Sequence, residues 1–194
     1  MTDDSIRWQK ISSEPGPELP LFDVRFDQMR HPGTGEDFRR MVLEAPDWTN
    51  VVATTEDGDI IMVEQYRFGI EDLTVEPVGG IIDADEEPID AAKRELLEET
   101  GYGGGSWQFL GVVQANPAIH NNLCHLWRAD GVRLIQEQEL DPGESIRVHL
   151  MSVHQVKKAI TDGRFLHPLG LAAMSRAFSP WSYEPQRSIT TGTS

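Results

Sequence analysis

Residues 80–102 read GIIDADEEPIDAAKRELLEETGY. Pro88 suits the first position of a helix, where its missing N–H costs nothing, and Gly101 suits the left-handed residue just past the end. Ile89, Ala92 and Leu96 fall at i, i+3 and i+7 and make one apolar stripe. The spacing predicts a helix over 87–100. Eight acids, Asp83, Asp85, Glu86, Glu87, Asp90, Glu95, Glu98 and Glu99, stand in this stretch beside two bases, Lys93 and Arg94. At about 100° per residue, Glu95, Glu98 and Glu99 share one face within one turn.

Three carboxylates so placed repel one another by tenths of a kcal/mol per pair. The negative end of the helix dipole makes them worse placed still. A chain shaped for stability alone carries Lys or Arg there. Either the face is merely solvated, or a hard cation relieves it. Carboxylate oxygens suit Mg²⁺ or Mn²⁺, whereas zinc wants His or Cys.

Upstream, strands are expected at 21–29, 38–45, 49–55, 60–65 and 73–78. Asp57-Gly58-Asp59 marks a hairpin turn, HPGTGED at 31–37 another turn, and SEPGPELP at 13–20 an irregular link. Downstream, strands are expected at 107–114, 123–129 and 146–150, and helices at 153–161 and 168–178. The polar end from Trp181 to Ser194 reads as a frayed tail. Strands, one helix, strands and then helices describe an α/β chain with a mixed sheet. That order is not a doubly wound nucleotide fold; GYGGG at 101–105 is not the G-x-G-x-x-G fingerprint, because it follows a helix instead of opening one.

The 194 residues fit one domain with an extension, and 39% hydrophobic with 25% charged residues is an ordinary globular mix. One cysteine, Cys124, excludes an internal disulfide; it reads as an inert buried thiol in a reducing, cytoplasmic setting. The formal charge of −15 disfavours binding to nucleic acid or an anionic membrane. No apolar run nears the ~20 residues of a membrane span, and MTDDSIRWQK does not read as a signal peptide. The six histidines show no ligand spacing.

The stretch at 80–102 resembles the signature of the Nudix hydrolase family, G-x5-E-x7-R-E-U-x-E-E-x-G-U, with U a bulky aliphatic residue. Gly80, Glu86, Arg94, Glu95, Leu96, Glu98, Glu99 and Gly101 fill its positions, and only the last U differs, being Tyr102. Seven fixed identities arise by chance at a probability on the order of 10⁻⁶. The resemblance implies an α/β/α sandwich around a mixed sheet, with an N-terminal β extension (1–45), a catalytic domain (46–180) and a tail (181–194). It implies Glu95, Glu98, Glu99 and the Gly79 carbonyl as ligands of Mg²⁺ or Mn²⁺. Gly80, Glu86, Arg94 and Gly101 would be structural supports, with Glu86 and Arg94 paired.

Three features resemble the ADP-ribose pyrophosphatase branch. Pro117 lies sixteen residues after Gly101, Gln65-Tyr66-Arg67 ends a strand before the box, and Glu144 precedes a strand at 146–150. Arg67, Glu76 and Pro117 are thereby candidates for substrate contact. Glu98, Glu99, Glu144 and Asp141 are the candidate catalytic acids. Where branch members carry a catalytic Glu, this chain has Pro142, so Asp141, Glu139, Glu144 and Glu98 all remain open as the group that activates water. The loop Ala118-Ile119-His120-Asn121-Asn122 also departs from the Ser-Glu type of the branch.

The implied reaction is metal-dependent hydrolysis of a nucleoside diphosphate sugar, ADP-ribose foremost, giving AMP and ribose 5-phosphate. Other nucleotide sugars such as GDP-mannose are the alternative. A non-catalytic nucleotide-sugar sensor is disfavoured by the complete box and the acidic charge. A metal-free acidic interaction domain is the remaining alternative. In the branch such an N-terminal extension pairs with a second subunit and helps hold the base, which implies a homodimer. For Trp8, Phe22 and Phe26 in that extension, core packing is the plain alternative to base stacking.

Overall fold

The mostly β-branched runs Val51-Val52-Ala53-Thr54 and Ile60-Ile61-Met62-Val63 build the centre of the molecule, because strands buried on both faces want such residues. A computed structural model describes residues 4–178; the tail expected from Trp181 to Ser194 lies outside the described residues. Eleven strands occur there: β1 (Gln9–Glu18), β2 (Asp23–Arg30), β3 (Asp37–Glu44), β4 (Trp48–Thr55), β5 (Ile60–Arg67), β6 (Asp72–Glu76), β7 (Val78–Ile81), β8 (Tyr102–Gly103), β9 (Ser106–Val113), β10 (Cys124–Leu134) and β11 (Ile146–Met151). Three α-helices join them: α1 (Pro88–Thr100), α2 (Val153–Thr161) and α3 (Pro168–Ala177).

Strands β4 to β11 make one mixed sheet with the path β11-β5-β4-β10-β8; β6 and β7 pair with β5 and β4, and β9 with β10. The pair β4–β10 is parallel and the others are antiparallel. Strand alternation sends Val51, Ala53, Ile61 and Val63 to one face, where they meet Ala92 and Leu96 of α1. Val52, Ile60 and Met62 go to the other, against Val156 of α2 and Leu169, Ala173 and Met174 of α3. These are the expected sandwich layers. Burying one such aliphatic side chain contributes about 1.5–3 kcal/mol, so the two clusters hold the helices to the sheet.

The structure revises the reading in three places. Residues 13–18 belong to β1 and are not an irregular link. Strand β1 is the edge of a separate antiparallel sheet β1-β2-β3, where a proline's missing N–H is tolerated, and its register shifts between Pro15 and Glu18. The segment expected as one strand at 73–78 is two, broken at Pro77. Strand β10 runs on to Leu134, and its end pairs with β8, which the sequence reading omitted.

The N-terminal sheet is fastened to the core by the turn holding Pro117. The Leu43 N–H donates to the Ile119 carbonyl at 2.7 Å, and the Asn121 N–H donates to the Leu43 carbonyl at 3.2 Å. Trp8 packs edge-on against His31 and Phe38, and the Arg39 guanidinium covers the Phe26 ring at 3.5 Å. Cys124 is buried, and burial pushes its thiol up to about 12.

Candidate active site

Strand β7 delivers the chain into a loop that turns at Asp85, which adopts φ 66°, and then into α1. Pro88 opens the helix; Gly101 closes it in the left-handed conformation at φ 75°, its N–H donating to the Leu97 carbonyl. Buried Ala91, Ala92 and Leu96 fix the rotation of α1 on the sheet. That rotation directs Glu95 and Glu99 toward β7. A Cβ added to Gly80 would lie 2.1 Å from Glu95 Oε1 and 2.5 Å from Oε2, so only glycine lets the carboxylate lie on the strand.

Arg94 ties loop to helix. Its Nε and Nη2 each donate to Glu86 at 2.9 Å, and Nη2 also reaches the Ile81 carbonyl at 3.1 Å. Its Nη1 donates to Glu95 Oε1 at 2.9 Å and Glu98 Oε2 at 3.0 Å. The Asp83 N–H completes the loop on Glu86 Oε2 at 3.1 Å. The bonds from Arg94 lower the pKa of Glu86, and those carboxylates in turn raise that of Arg94, Glu86 foremost.

Glu99 has the most costly environment. It is 3% exposed, and its Oε2 has no hydrogen-bond partner. Burial first, then Glu95 and Glu144, push its carboxyl up to about 9, against partial relief from the Gly79 N–H. Burial also raises the pKa of Glu95, with Glu98 and Glu144 adding to it and Arg94 opposing. Glu144 is thus the downstream acid whose charge the helix acids feel. It is set by a tight turn: the Glu144 N–H donates to the Asp141 carbonyl at 3.0 Å, and the Asp141 N–H to Glu144 Oε2 at 3.1 Å. Asp141 enters this turn through its main chain.

The same loop is laced to the end of α1. The Glu139 N–H donates to the Glu98 carbonyl at 2.9 Å, and Gln138 Nε2 donates to the Glu99 carbonyl. Sequence reasoning missed Gln138, since nothing in its neighbours marks it.

Arg67 ends β5 half-exposed, at 44%, and both Nε and Nη2 lie 2.7 Å from Glu76 Oε1. Glu76 is fully buried, so its carboxylate grips Arg67 from behind instead of lying open to solvent. Thr74 adds a hydroxyl at 3.3 Å, and His167, the N-cap of α3, stands on the far side. The turn of Pro117 belongs with the N-terminal sheet; among the described residues no hydrogen bond or ion pair links it to the helix acids.

The donor set around α1 is all oxygen, which suits a hard divalent cation and not zinc. The unpartnered oxygen of buried Glu99, next to the charge of Glu95, is what such a cation would relieve. Among the described residues no three acids, histidines or cysteines already stand in position around one point. The Arg94 guanidinium lies between Glu95 and Glu98, so a cation must compete with it while Glu86 retains it.

Residues 46–169 match the family model described as the NUDIX domain, which is most of the chain, and the protein belongs to that family. It is accordingly an enzyme, a Nudix hydrolase. It is 31% identical over 141 residues to an ADP-ribose pyrophosphatase of Bacillus subtilis, covering 72% of this chain and 76% of the relative. It is 28% identical over 169 residues to an ADP-ribose pyrophosphatase of Mycobacterium tuberculosis, covering 86% and 81%. The fold superposes on a crystal structure of an ADP compounds hydrolase with a TM-score of 0.76 at 20% identity, over 87% of this chain and 91% of the other. Among the described residues no helix is long and apolar enough to cross a membrane.

Proposed function

We propose that the protein hydrolyses the pyrophosphate of ADP-ribose to AMP and ribose 5-phosphate, using Mg²⁺ or Mn²⁺. Nudix hydrolases in general depend on a divalent metal. The observation that carries the reading is the acidic face of α1: Glu95 and Glu98 share the Arg94 Nη1 at 2.9 and 3.0 Å, and Glu99 beside them is buried with an oxygen that has no partner. The names of the two pyrophosphatase relatives support the substrate.

Glu95, Glu98, Glu99 and the Gly79 carbonyl would hold the cation. When bound, it supplies charge neutralisation at the diphosphate and a lowered pKa for a bound water. The chain's own groups do the rest. Arg94 and Glu86 hold the helix acids in place. The planar fork of Arg67, steadied by Glu76, binds phosphate oxygens. Glu144 takes the proton of the attacking water as its oxygen bonds to phosphorus and the bridging P–O bond breaks, the electrons leaving on the departing phosphate. Glu98 is the second candidate for that proton, and the carboxylate of Asp141 is the third.

A broader range of nucleoside diphosphate sugars is the second reading. The loop Ala118–Asn122 favours it, because it lacks the carboxylate common in the branch. We further read the sheet β1-β2-β3 as the surface that meets a second subunit and the base, in a cytoplasmic homodimer.

The test is a panel of ADP-ribose, GDP-mannose and other nucleotide sugars with Mg²⁺ and Mn²⁺, the products identified by mass. AMP and ribose 5-phosphate should form fastest. A preference for GDP-mannose would move the assignment to the second reading, and cleavage of nothing in the panel would end both.

A further inference from the structure

Glu76 is a fully buried carboxylate with one oxygen satisfied and one not. Its Oε1 accepts from Arg67 and Thr74. Its Oε2 has no donor in hydrogen-bond geometry, although His167 Nδ1 lies 3.2 Å away. The same Nδ1 is 3.3 Å from the Gly170 N–H, where it caps the first turn of α3. That turn is pressed onto the residue after Glu76: a Cβ on Gly170 would lie 2.6 Å from Pro77 Cδ and 3.1 Å from the Phe165 ring. Two groups thus compete for one nitrogen. Gly170 needs its lone pair, and Glu76 needs a proton on it.

Magnitudes decide between them. Losing one N-cap is a modest penalty, and 3.3 Å is already long for such a bond. A buried carboxylate oxygen left without a donor costs more, because desolvating a charged group is dearer than desolvating a neutral one. We propose that His167 is a positioning residue: a small turn of its ring brings Nδ1–H, already 3.2 Å from Glu76 Oε2, into line to donate to it, and the Glu76 carboxylate so fixed aims Arg67 at the substrate phosphates. The aim of Arg67 rests on the function proposed above; the tautomer does not. Burial lowers the pKa of His167, with Arg67 also lowering and Glu76 opposing, so the ring is neutral at neutral pH and carries one proton to place.

Two measurements test this. In ¹⁵N–¹H correlation spectra at pH 8, His167 should have a protonated Nδ1 and a bare Nε2. A bare Nδ1 would overturn the proposal, since the ring would then serve only as a cap. Kinetics of H167N, H167D and H167A separate the same roles. Asn can cap and donate at once, Asp caps well but only accepts, and Ala does neither. The KM for ADP-ribose should stay within about 3-fold in H167N and rise about 10-fold or more in both H167D and H167A, with kcat changing less. A normal KM in H167D with a raised one only in H167A would also overturn it. If the wild-type enzyme leaves ADP-ribose intact, the proposed substrate falls, while the spectra still decide the His167–Glu76 bond.

Discussion

Replacing Glu99 by glutamine removes a carboxyl that the metal-free fold must keep protonated, at a cost. The carboxyl ordinarily titrates near 4.5 and in the fold near 9, because it is buried beside Glu95 and Glu144. The stability this group contributes is therefore complete below pH 4.5 and is lost steadily as pH rises toward 9. At about 1.4 kcal/mol per pH unit, holding Glu99 neutral at pH 7 costs about 3 kcal/mol, and at pH 5 less than about 1 kcal/mol. Glu99→Gln keeps the shape and an acceptor for the Gly79 N–H but has nothing to ionise. In EDTA its Tm should exceed wild type by about 6–12 °C at pH 7 and by only about 1–3 °C at pH 5. Calorimetry across that range checks the size and the slope. Added Mg²⁺ or Mn²⁺ should raise the wild-type Tm and leave the variant unmoved. A variant equally destabilised at every pH would refute the reasoning, since Glu99 would then act through packing and not through its charge.

Further expectations follow from the same geometry. Gly80→Ala puts a methyl where the Glu95 carboxylate lies, so activity should fall about 100-fold while the circular dichroism spectrum keeps its native form. Arg67→Ala should lower kcat/KM for ADP-ribose by about 10- to 100-fold, mostly through KM; an unchanged KM in steady-state assays would make Arg67 purely structural. Glu144→Gln should cut kcat by about 100-fold or more, whereas Asp141→Asn, which leaves the main-chain turn intact, should change it less than about 3-fold. Equal and full activity in both would remove the downstream loop from the chemistry.

The helix and its acids were legible because their signals are local. Pro88, Gly101 and the stripe Ile89, Ala92 and Leu96 all lie within one segment, and helix geometry alone places Glu95, Glu98 and Glu99 together. The central strands were legible for the same reason, through the apolar runs of β4 and β5. Strand β1 was not, because its Pro15, Gly16 and Pro17 signal a loop unless the chain is known to lie on a sheet edge. Glu76 and His167 are ninety-one positions apart, and only the packing of α3 against Pro77 brings them together. Between Asp141 and Glu144, sequence offers two similar acids with nothing to rank them; their turn, in which the Glu144 carboxylate accepts from the Asp141 N–H, appears only in the fold.

The central claim is that the acids of α1 exist to grip a divalent ion, and Mn²⁺ binding followed by electron paramagnetic resonance tests it most directly. Free Mn²⁺ should disappear from solution on titration with wild-type protein, saturably, and this uptake should vanish in Glu99→Gln and weaken sharply in Glu98→Gln. Wild-type protein that takes up no Mn²⁺ even with ADP-ribose present, or variants that bind it as well as wild type does, would contradict the account.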